Sequence, residues 1–566
     1  MILGVVSLVL ENGAAQGPLV TTASHIIDLV VSVLFISIYL VELIKAPDRK
    51  KFIRRNIAET VFILAFLFVL FYAKYRYFFI EPYEGHNIPA KIILTISLFT
   101  VFKVLIRVKK LSGYLQNLTG HPAQTIMLSF LGVILTGTIL LMMPFATADS
   151  SRLGFVNSLF TSTSATCVTG LIVVDTATKF SLAGKLIIMS LIQVGGLGIM
   201  ILASFTAFIM GKKLSFEEKM AMSYIIEETD IAKVARGVRN IVVLTLLFEL
   251  AGAALLFFAF RDTVGGVLRT AFFSVFHAVS AFCNAGFALF PDNLAGYRSF
   301  GFLNFIIAGL IISGGISFAV LSNSFEHIRS SLRNRLLKKK EQVQNLTLNT
   351  KVVLAATAIL IVAGTLLIYR FEHRTTLLPL DLKTQYLEAF FQSVTLRTAG
   401  FNTMDISALS AATYTLMILF MFIGGASGST AGGIKVNTLG VVWAYVRSIF
   451  SREEDVVLMK HTMPPQLINQ AFFVMFLSLS VIFAGALLLS ITESKKFIRI
   501  LFETVSAFGT VGLSTGITPE LSTAGKILIT AVMFIGRLGP LTIVTAFARK
   551  HKYLEIKYPV GKINIG

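Results

Sequence analysis

Four segments of this chain have the residue types to surround an ion between them. They read LFTSTSATCVTGL (Leu159–Leu171), VFHAVSAFCNAGF (Val275–Phe287), AFFQSVTLRTAGF (Ala389–Phe401) and LFETVSAFGTVGL (Leu501–Leu513). Each has Phe at its second position and Gly at its twelfth, and the glycines, Gly170, Gly286, Gly400 and Gly512, follow one another in steps of 116, 114 and 112 residues. A chain whose carbonyls all face one axis needs backbone angles that glycine adopts cheaply. Small neighbours such as Ala165, Thr169, Ala285, Ala399 and Val511 leave those carbonyls uncovered. Stacked rings of backbone oxygens can replace the hydration shell of a monovalent cation such as potassium. The repeat therefore predicts four similar units around one central axis suited to a bare cation. The C-terminal ends of four half-helices would add partial negative charge aimed at the same point.

Other polar residues cluster near these phrases. Asp175, Asp292, Asp405 and Glu520 each follow a phrase, where they would raise the local cation concentration. His277 reads as a packed, hydrogen-bonded core histidine. Arg397 is expected to turn its guanidinium backwards and brace its phrase, because a charge left facing lipid is costly. In the third unit the run GGASGSTAGGIK (Gly424–Lys435) carries five glycines with Ser427, Ser429 and Thr430, and cannot hold a regular helix against lipid. It is expected to be a buried, movable loop across the pathway, a gate formed by Gly424, Gly425, Ser427, Gly428, Ser429, Thr430, Gly432 and Gly433. Arg537, in FIGRLGPLT of the fourth unit, falls at matching depth. An arginine at mid-bilayer costs roughly 2.5 to 3.5 kcal/mol on insertion scales, so it implies a partner. The carbonyls and hydroxyls of Gly424–Gly433 are the natural candidates, and Arg537 would latch that loop.

The elements that must position these residues lie in a bilayer. Hydrophobic residues make up 55% of the 566-residue chain and charged residues 14%, against about 25% charged in soluble domains. Stretches of about 20 apolar residues cross a hydrocarbon core of about 30 Å. Three precede the first phrase: Ile26–Ile44, Ile57–Ala73 and Ile92–Ile106. Eight more flank the phrases in pairs: Gln124–Pro144 with Gly184–Ile209, Ile241–Phe260 with Phe302–Leu321, Val352–Tyr369 with Tyr414–Val446, and Ala471–Ile491 with Lys526–Phe547. Glycines in each second member, including Gly195, Gly196, Gly314, Gly315, Gly536 and Gly539, predict kinks. The expected fold class is an all-α membrane protein with four pseudo-symmetric helix–pore-loop–helix repeats around a central pore and extra N-terminal transmembrane helices. Its divisions are residues 1–123 for the extra helices, then 124–210, 240–323, 351–447 and 470–548 for the repeats, with a cytoplasmic tail at 549–566. Each phrase, too short to cross, enters and leaves on the outer side as a half-helix followed by a re-entrant strand.

The net charge of +20 is placed by topology. Lys45–Arg55, Arg107–Lys110, Arg333–Lys340 and Arg549–Lys552 all fall on one side if eleven spans alternate. That positive-inside pattern makes this side cytoplasmic and puts the N-terminus outside, in a multi-pass protein of the cytoplasmic membrane in contact with anionic lipids. No basic patch interleaves with aromatics, so nucleic acid is not an expected partner. Met1–Leu10 lacks a basic start and is a poor signal peptide. The two cysteines, Cys167 and Cys283, indicate no disulfide framework. Ser427 in Gly-Ala-Ser-Gly has no suitable histidine base, since only His461 and His551 follow it and both fall in cytoplasmic loops. No Gly-Lys-Ser/Thr ends the glycine run, which excludes a P-loop. The chain is not expected to be an enzyme. A non-conducting scaffold would not require four aligned glycines.

SATCVTGL, SAFCNAGF, TLRTAGF and SAFGTVGL, with GGASGSTAGGIKVNTL and GRLGPLT, resemble the membrane subunits of the Trk/Ktr/HKT superfamily of cation transporters from about Thr125 to Gly566. The resemblance implies a homodimer, uptake of potassium, sometimes with sodium, and control by a ring-type cytoplasmic nucleotide-binding regulator. A sodium/potassium symporter or a less selective monovalent cation channel is the alternative within the family. Carried over by position, the selectivity filter is Cys167, Val168, Thr169 and Gly170; Cys283, Asn284, Ala285 and Gly286; Arg397, Thr398, Ala399 and Gly400; Gly509, Thr510, Val511 and Gly512. The gate is the Gly424–Gly433 loop with Arg537. A serine at the first filter glycine goes with sodium preference in plant relatives, so four glycines imply potassium. No organic cofactor is expected in this chain, because it carries no dinucleotide fingerprint. Arg333–Lys340 and Lys550–Gly566 are the implied regulator contacts.

Overall fold

The computed structural model describes residues 122–198, 234–337 and 345–547, together with Leu43, Ile44, Thr60 and Ile201. But for those isolated positions, the three expected N-terminal spans, the inner end of the first unit and the C-terminal tail lie outside the described residues. So do Lys338–Lys340 and the tail from Lys550 that were the implied regulator contacts.

The described chain is mainly helical and runs α1 (Pro122–Met142), α2 (Phe155–Thr166), α3 (Leu182–Leu197), α4 (Val234–Val264), α5 (Val267–Phe282), α6 (Gly301–Gly315) and α7 (Phe318–Leu337). It continues with α8 (Leu348–Glu372), α9 (Leu382–Thr395), α10 (Ala411–Phe422) and α11 (Val436–Ser451). A hairpin of β1 (Val457–Leu458) and β2 (His461–Thr462) pairs Val457 with Thr462. Last come α12 (Pro465–Thr492), α13 (Phe497–Gly509), α14 (Thr523–Leu538) and α15 (Pro540–Phe547).

Length separates these helices into kinds. Among the described residues, α1, α4, α8 and α12 hold the four single helices long and apolar enough to cross a membrane. The 28 residues of α12 reach about 42 Å. By contrast α2, α5, α9 and α13 are 12, 16, 14 and 13 residues long, roughly 18 to 24 Å, and cannot span an apolar core of about 30 Å. Each contains most of one repeat phrase and stops three to five residues before that phrase's glycine.

Serine starts three of the helices that follow the phrases. The Ser181, Ser410 and Ser522 side chains accept from the backbone N–H of Gly184, Thr413 and Gly525, satisfying donors that a helix N-terminus leaves open. Buried carboxylates then fasten two of these caps to the end of the preceding long helix. Glu372 accepts from Ser410 N at 3.0 Å and Thr413 Oγ1 at 2.5 Å. Glu493 accepts from Ser522 N at 3.1 Å.

The helices after the phrases do not run straight through, although the hydropathy of Phe302–Leu321 and Lys526–Phe547 reads as single spans. The chain turns by 107° between α6 and α7 and by 90° between α14 and α15. Gly198 and Gly539, both at φ +82°, end α3 and α14 in a conformation that β-carbons resist. The stretch read as Tyr414–Val446 is interrupted between Phe422 and Val436. Close packing explains the glycines just before these ends. A methyl group on Gly195, Gly314 or Gly536 would collide with the carbonyl oxygen of Thr166, Phe282 or Phe508, at or beside the last residue of the preceding short helix.

Gly309, on the same helix as Gly314, faces open space. Gly309→Ala should therefore leave thermal unfolding unchanged or raise it, because alanine is the better helix former. Gly314→Ala should destabilise by about 1–3 kcal/mol, as overpacking does. Melting of the two variants in detergent checks the contrast.

Candidate functional site

The four phrase glycines are neighbours in space. A methyl group on Gly170 would lie 2.6 Å from the Ala285 carbonyl oxygen and 3.1 Å from Gly286 Cα. One on Gly286 would lie 2.8 Å from Ala399 O and 2.8 Å from Gly400 Cα. One on Gly400 would lie 2.7 Å from Val511 O and 3.3 Å from Gly512 Cα. One on Gly512 would overlap Thr169 O and lie 3.0 Å from Gly170 Cα, which closes the ring. The carbonyls of Thr169, Ala285, Ala399 and Val511 thus alternate with the four glycines, and nothing larger than hydrogen fits at any of them.

Backbone conformation repeats with the sequence. Gly170, Gly286, Gly400 and Gly512 have φ of +91°, +69°, +76° and +88°. Two residues earlier, Val168, Asn284, Thr398 and Thr510 also have positive φ, +50°, +58°, +71° and +50°. Asn tolerates this region, but Val and Thr are β-branched and rarely enter it. Alternating the hand of the backbone swings successive peptide dipoles to one side, as an extended strand cannot.

Side chains behind the ring hold it. Gly170 N and Gly512 N donate to Ser164 Oγ and Ser506 Oγ at 3.1 Å. Ser280 Oγ donates to Phe287 O at 2.8 Å. These serines share the sixth position of their phrases, a signal visible in the sequence and passed over there. The third phrase has Val394 instead. The Asn284 amide lies 3.0 Å from Ala281 O and 3.2 Å from Ile311 O, and its NH2 can satisfy both. Cys283 Sγ sits 3.8 Å from Glu249 Oε1, a buried carboxylate on α4 that the sequence pattern did not single out. Arg397 differs from expectation. It is buried, yet its Nε and Nη2 have no hydrogen-bond partner among the described residues, so these two nitrogens do not brace the phrase.

The Gly424–Gly433 stretch is a compact loop packed against the ends of α6 and α13. Gly424 N donates to Ile434 O at 2.7 Å and Ala426 N to Gly315 O at 3.0 Å. Thr430 Oγ1 donates to Gly314 O at 2.9 Å and reaches Phe282 O at 3.3 Å. A methyl on Gly432 would meet Thr510, and one on Gly433 would lie 3.4 Å from Gly509 Cα. Ser429 Oγ closes a turn on Ala426 O at 2.7 Å, while Gly428 at the tip is exposed. Arg537 donates from Nη1 to Thr430 O in this loop and from Nη2 to Gly195 O at the end of α3. The second partner was not anticipated.

A cavity of about 260 Å3 opens over the four glycines, and Asp175, Asp292, Asn402 and Ser514 line it. The other two acids named from sequence do not. Asp405 caps a turn through Ser407 N at 2.9 Å. Glu520 is paired with Lys495 at 2.5 Å, which holds its carboxyl below the ordinary range. Of the four acids expected at the mouth, Asp175 and Asp292 line this cavity.

Long apolar helices around a buried ring of main-chain oxygens define a mainly helical integral membrane protein. The chain belongs to the TrkH family of cation transport proteins, whose model matches residues 85–556. It is 39% identical over 447 residues to the Ktr system potassium uptake protein B of Bacillus subtilis, covering 79% of this chain and 97% of that one. It is 35% identical over 452 residues to the potassium/sodium uptake protein NtpJ of Enterococcus hirae, covering 79% and 97%. The crystal structure of the potassium transporter TrkH from Vibrio parahaemolyticus superposes with a TM-score of 0.59 at 17% identity, covering 88% of this chain and 99% of that one, which is a likeness of fold.

Proposed function

We propose that this chain takes up potassium across the cytoplasmic membrane through a filter of backbone carbonyls at the glycine ring. The observation that carries the reading is the closed order Gly170, Gly286, Gly400, Gly512, with a carbonyl oxygen between each pair. Oxygens held in this way replace water around a dehydrated cation. The Cys167–Gly170, Cys283–Gly286, Arg397–Gly400 and Gly509–Gly512 segments form the filter walls, and the four-repeat pore is the architecture they imply. The short helices α2, α5, α9 and α13 point their C-terminal ends at the ring and contribute partial negative charge.

The Gly424–Gly433 loop acts as the gate, supported by its contacts with Gly509 and Thr510 beneath the ring. Arg537 latches it through Thr430. A cation leaving the filter must pass this loop and the guanidinium charge. The N-terminus is outside and the C-terminus is cytoplasmic. The working unit is a homodimer bearing a ring-type nucleotide-binding regulator on its cytoplasmic face. The relative named for potassium and sodium uptake makes sodium-coupled or less selective transport the competing reading.

Rubidium uptake into liposomes, with potassium, sodium and caesium as competitors, separates these readings. Gly170→Ser or Gly286→Ser should lower the preference for potassium over sodium, and unchanged competition would remove the filter assignment. Deleting the Gly424–Gly433 loop should raise flux, while equal flux would show that the loop does not gate. Asp175→Asn and Asp292→Asn retain the side-chain acceptors for Ala177 N and Gly296 N but lose charge. Together they should slow uptake at low ionic strength and have little effect at about 1 M salt, where the Debye length is near 3 Å.

A further inference from the structure

The third position of the repeat phrase has a role that the glycines do not explain. It is occupied by Thr161, His277, Phe391 and Glu503. All four are buried, and two of them reach forward to the same place in the outgoing strand. Leu289 N donates to His277 Nε2 at 3.3 Å. Thr515 N donates to Glu503 Oε1 at 2.8 Å. Leu289 and Thr515 each stand three residues past the glycine of their own phrase, Gly286 and Gly512.

Each tie is secured from behind. His277 Nδ1 lies 2.7 Å from Phe273 O, so this nitrogen carries the proton and Nε2 is free to accept. The ring is wedged among Phe260, Phe290 and Phe401 at centroid distances of 5.3, 5.1 and 6.4 Å. Glu503 also accepts from Ser514 Oγ at 2.7 Å, Thr515 Oγ1 at 3.2 Å and Thr518 Oγ1 at 2.7 Å. The strands so tied carry Ala288, Phe290 and Ser514, which line the outer cavity.

The other two phrases lack the device. Thr161 Oγ1 is committed to Asn157 O in its own helix at 2.8 Å, and Phe391 has no polar atom. Around the ring, Gly286 and Gly512 are not adjacent, since Gly170 and Gly400 stand between them. The tied strands are therefore opposite each other.

We propose that His277 and Glu503 are a pair of positioning residues that fix two opposite walls of the ring and resist its shrinkage along that diagonal. On the snug-fit account of selectivity by backbone oxygens, discrimination depends on how far the ring can shrink around a smaller ion. A brace on two facing walls resists that shrinkage without touching the ion. The inference rests on the filter reading and deepens it.

Rubidium uptake by the full chain in liposomes, with sodium as competitor, tests the brace in three variants beside Gly286→Ser. His277→Phe keeps an aromatic ring among the phenylalanines and removes the acceptor. Glu503→Ala removes the acceptor and orphans Thr515 N. Glu503→Gln keeps an Oε1 acceptor for Thr515 N while its NH2 faces a hydroxyl of Thr518 that can turn to accept. His277→Phe and Glu503→Ala should each lower the sodium concentration that halves rubidium uptake by about five-fold, the factor equivalent to one net hydrogen bond of ~1 kcal/mol. Glu503→Gln should stay nearer the unsubstituted protein. Unchanged competition in the folded variants overturns the brace, and His277→Phe decides alone if Glu503→Ala does not fold. A shift in Glu503→Gln as large as in Glu503→Ala also overturns it, since charge would then be the active property. If Gly286→Ser alone shifts competition, the brace falls and the filter stands. If Gly286→Ser is silent too, the filter itself has failed.

Discussion

Four backbone strands meet so closely that no β-carbon fits between them, and the rest of the molecule is arranged to keep them there. At Gly170, Gly286, Gly400 and Gly512 the next strand's carbonyl occupies the place a side chain would take. Val168, Thr398 and Thr510 must then adopt a left-handed conformation that costs about 1–3 kcal/mol each and persists only where surroundings over-determine it. Those surroundings are the serines at the sixth phrase position, the short helices that end just before each strand, and the long helices that enclose them. In lipid, such irregular backbone survives only when protein or a wet cavity surrounds it. A closed ring of four similar strands meets that condition for each of them.

The symmetry of the ring is not carried through to its surroundings. The third phrase lacks the serine, has Val394 in its place, and carries the buried Arg397 where the others have Cys or Gly. Its following helix breaks into the Gly424–Gly433 loop, where α3, α6 and α14 keep a glycine pressed against the end of a short helix. Arg537 then joins the loop to Gly195 near the C-terminus of α3. Carbonyls at a helix C-terminus carry partial negative charge, so a guanidinium there is partly compensated without a carboxylate. One chain has thus made one quadrant unlike the rest, which four identical subunits cannot do. The proposed gate occupies that quadrant, and its latch, Arg537, reaches it from the fourth unit.

Length and composition made the membrane and the helical content readable, because spans of about 20 apolar residues and half-length helices answer to bilayer thickness. The phrase repeat made the ring residues readable, because a glycine at a fixed offset reflects a local backbone need. Close approach also made Gly314 and Gly536 readable as special positions, although not the sharpness of the turns beyond Gly315 and Leu538. Hydropathy averages over a window and cannot see a break of one or two residues between apolar helices.

By itself the sequence determined that the four phrase glycines could take left-handed backbone, which stretches belonged in lipid, and that four of one kind had to be accommodated together. Tertiary structure alone decided which strands stand side by side, that Arg537 bonds Gly195 as well as Thr430, and that Asp405 and Glu520 are engaged elsewhere. It alone brought Leu289 N to His277 and Thr515 N to Glu503. The division has one physical cause. Backbone need and apolarity are properties of a residue and its close neighbours in sequence, whereas a hydrogen-bond partner is a property of whatever the fold carries to within 3 Å.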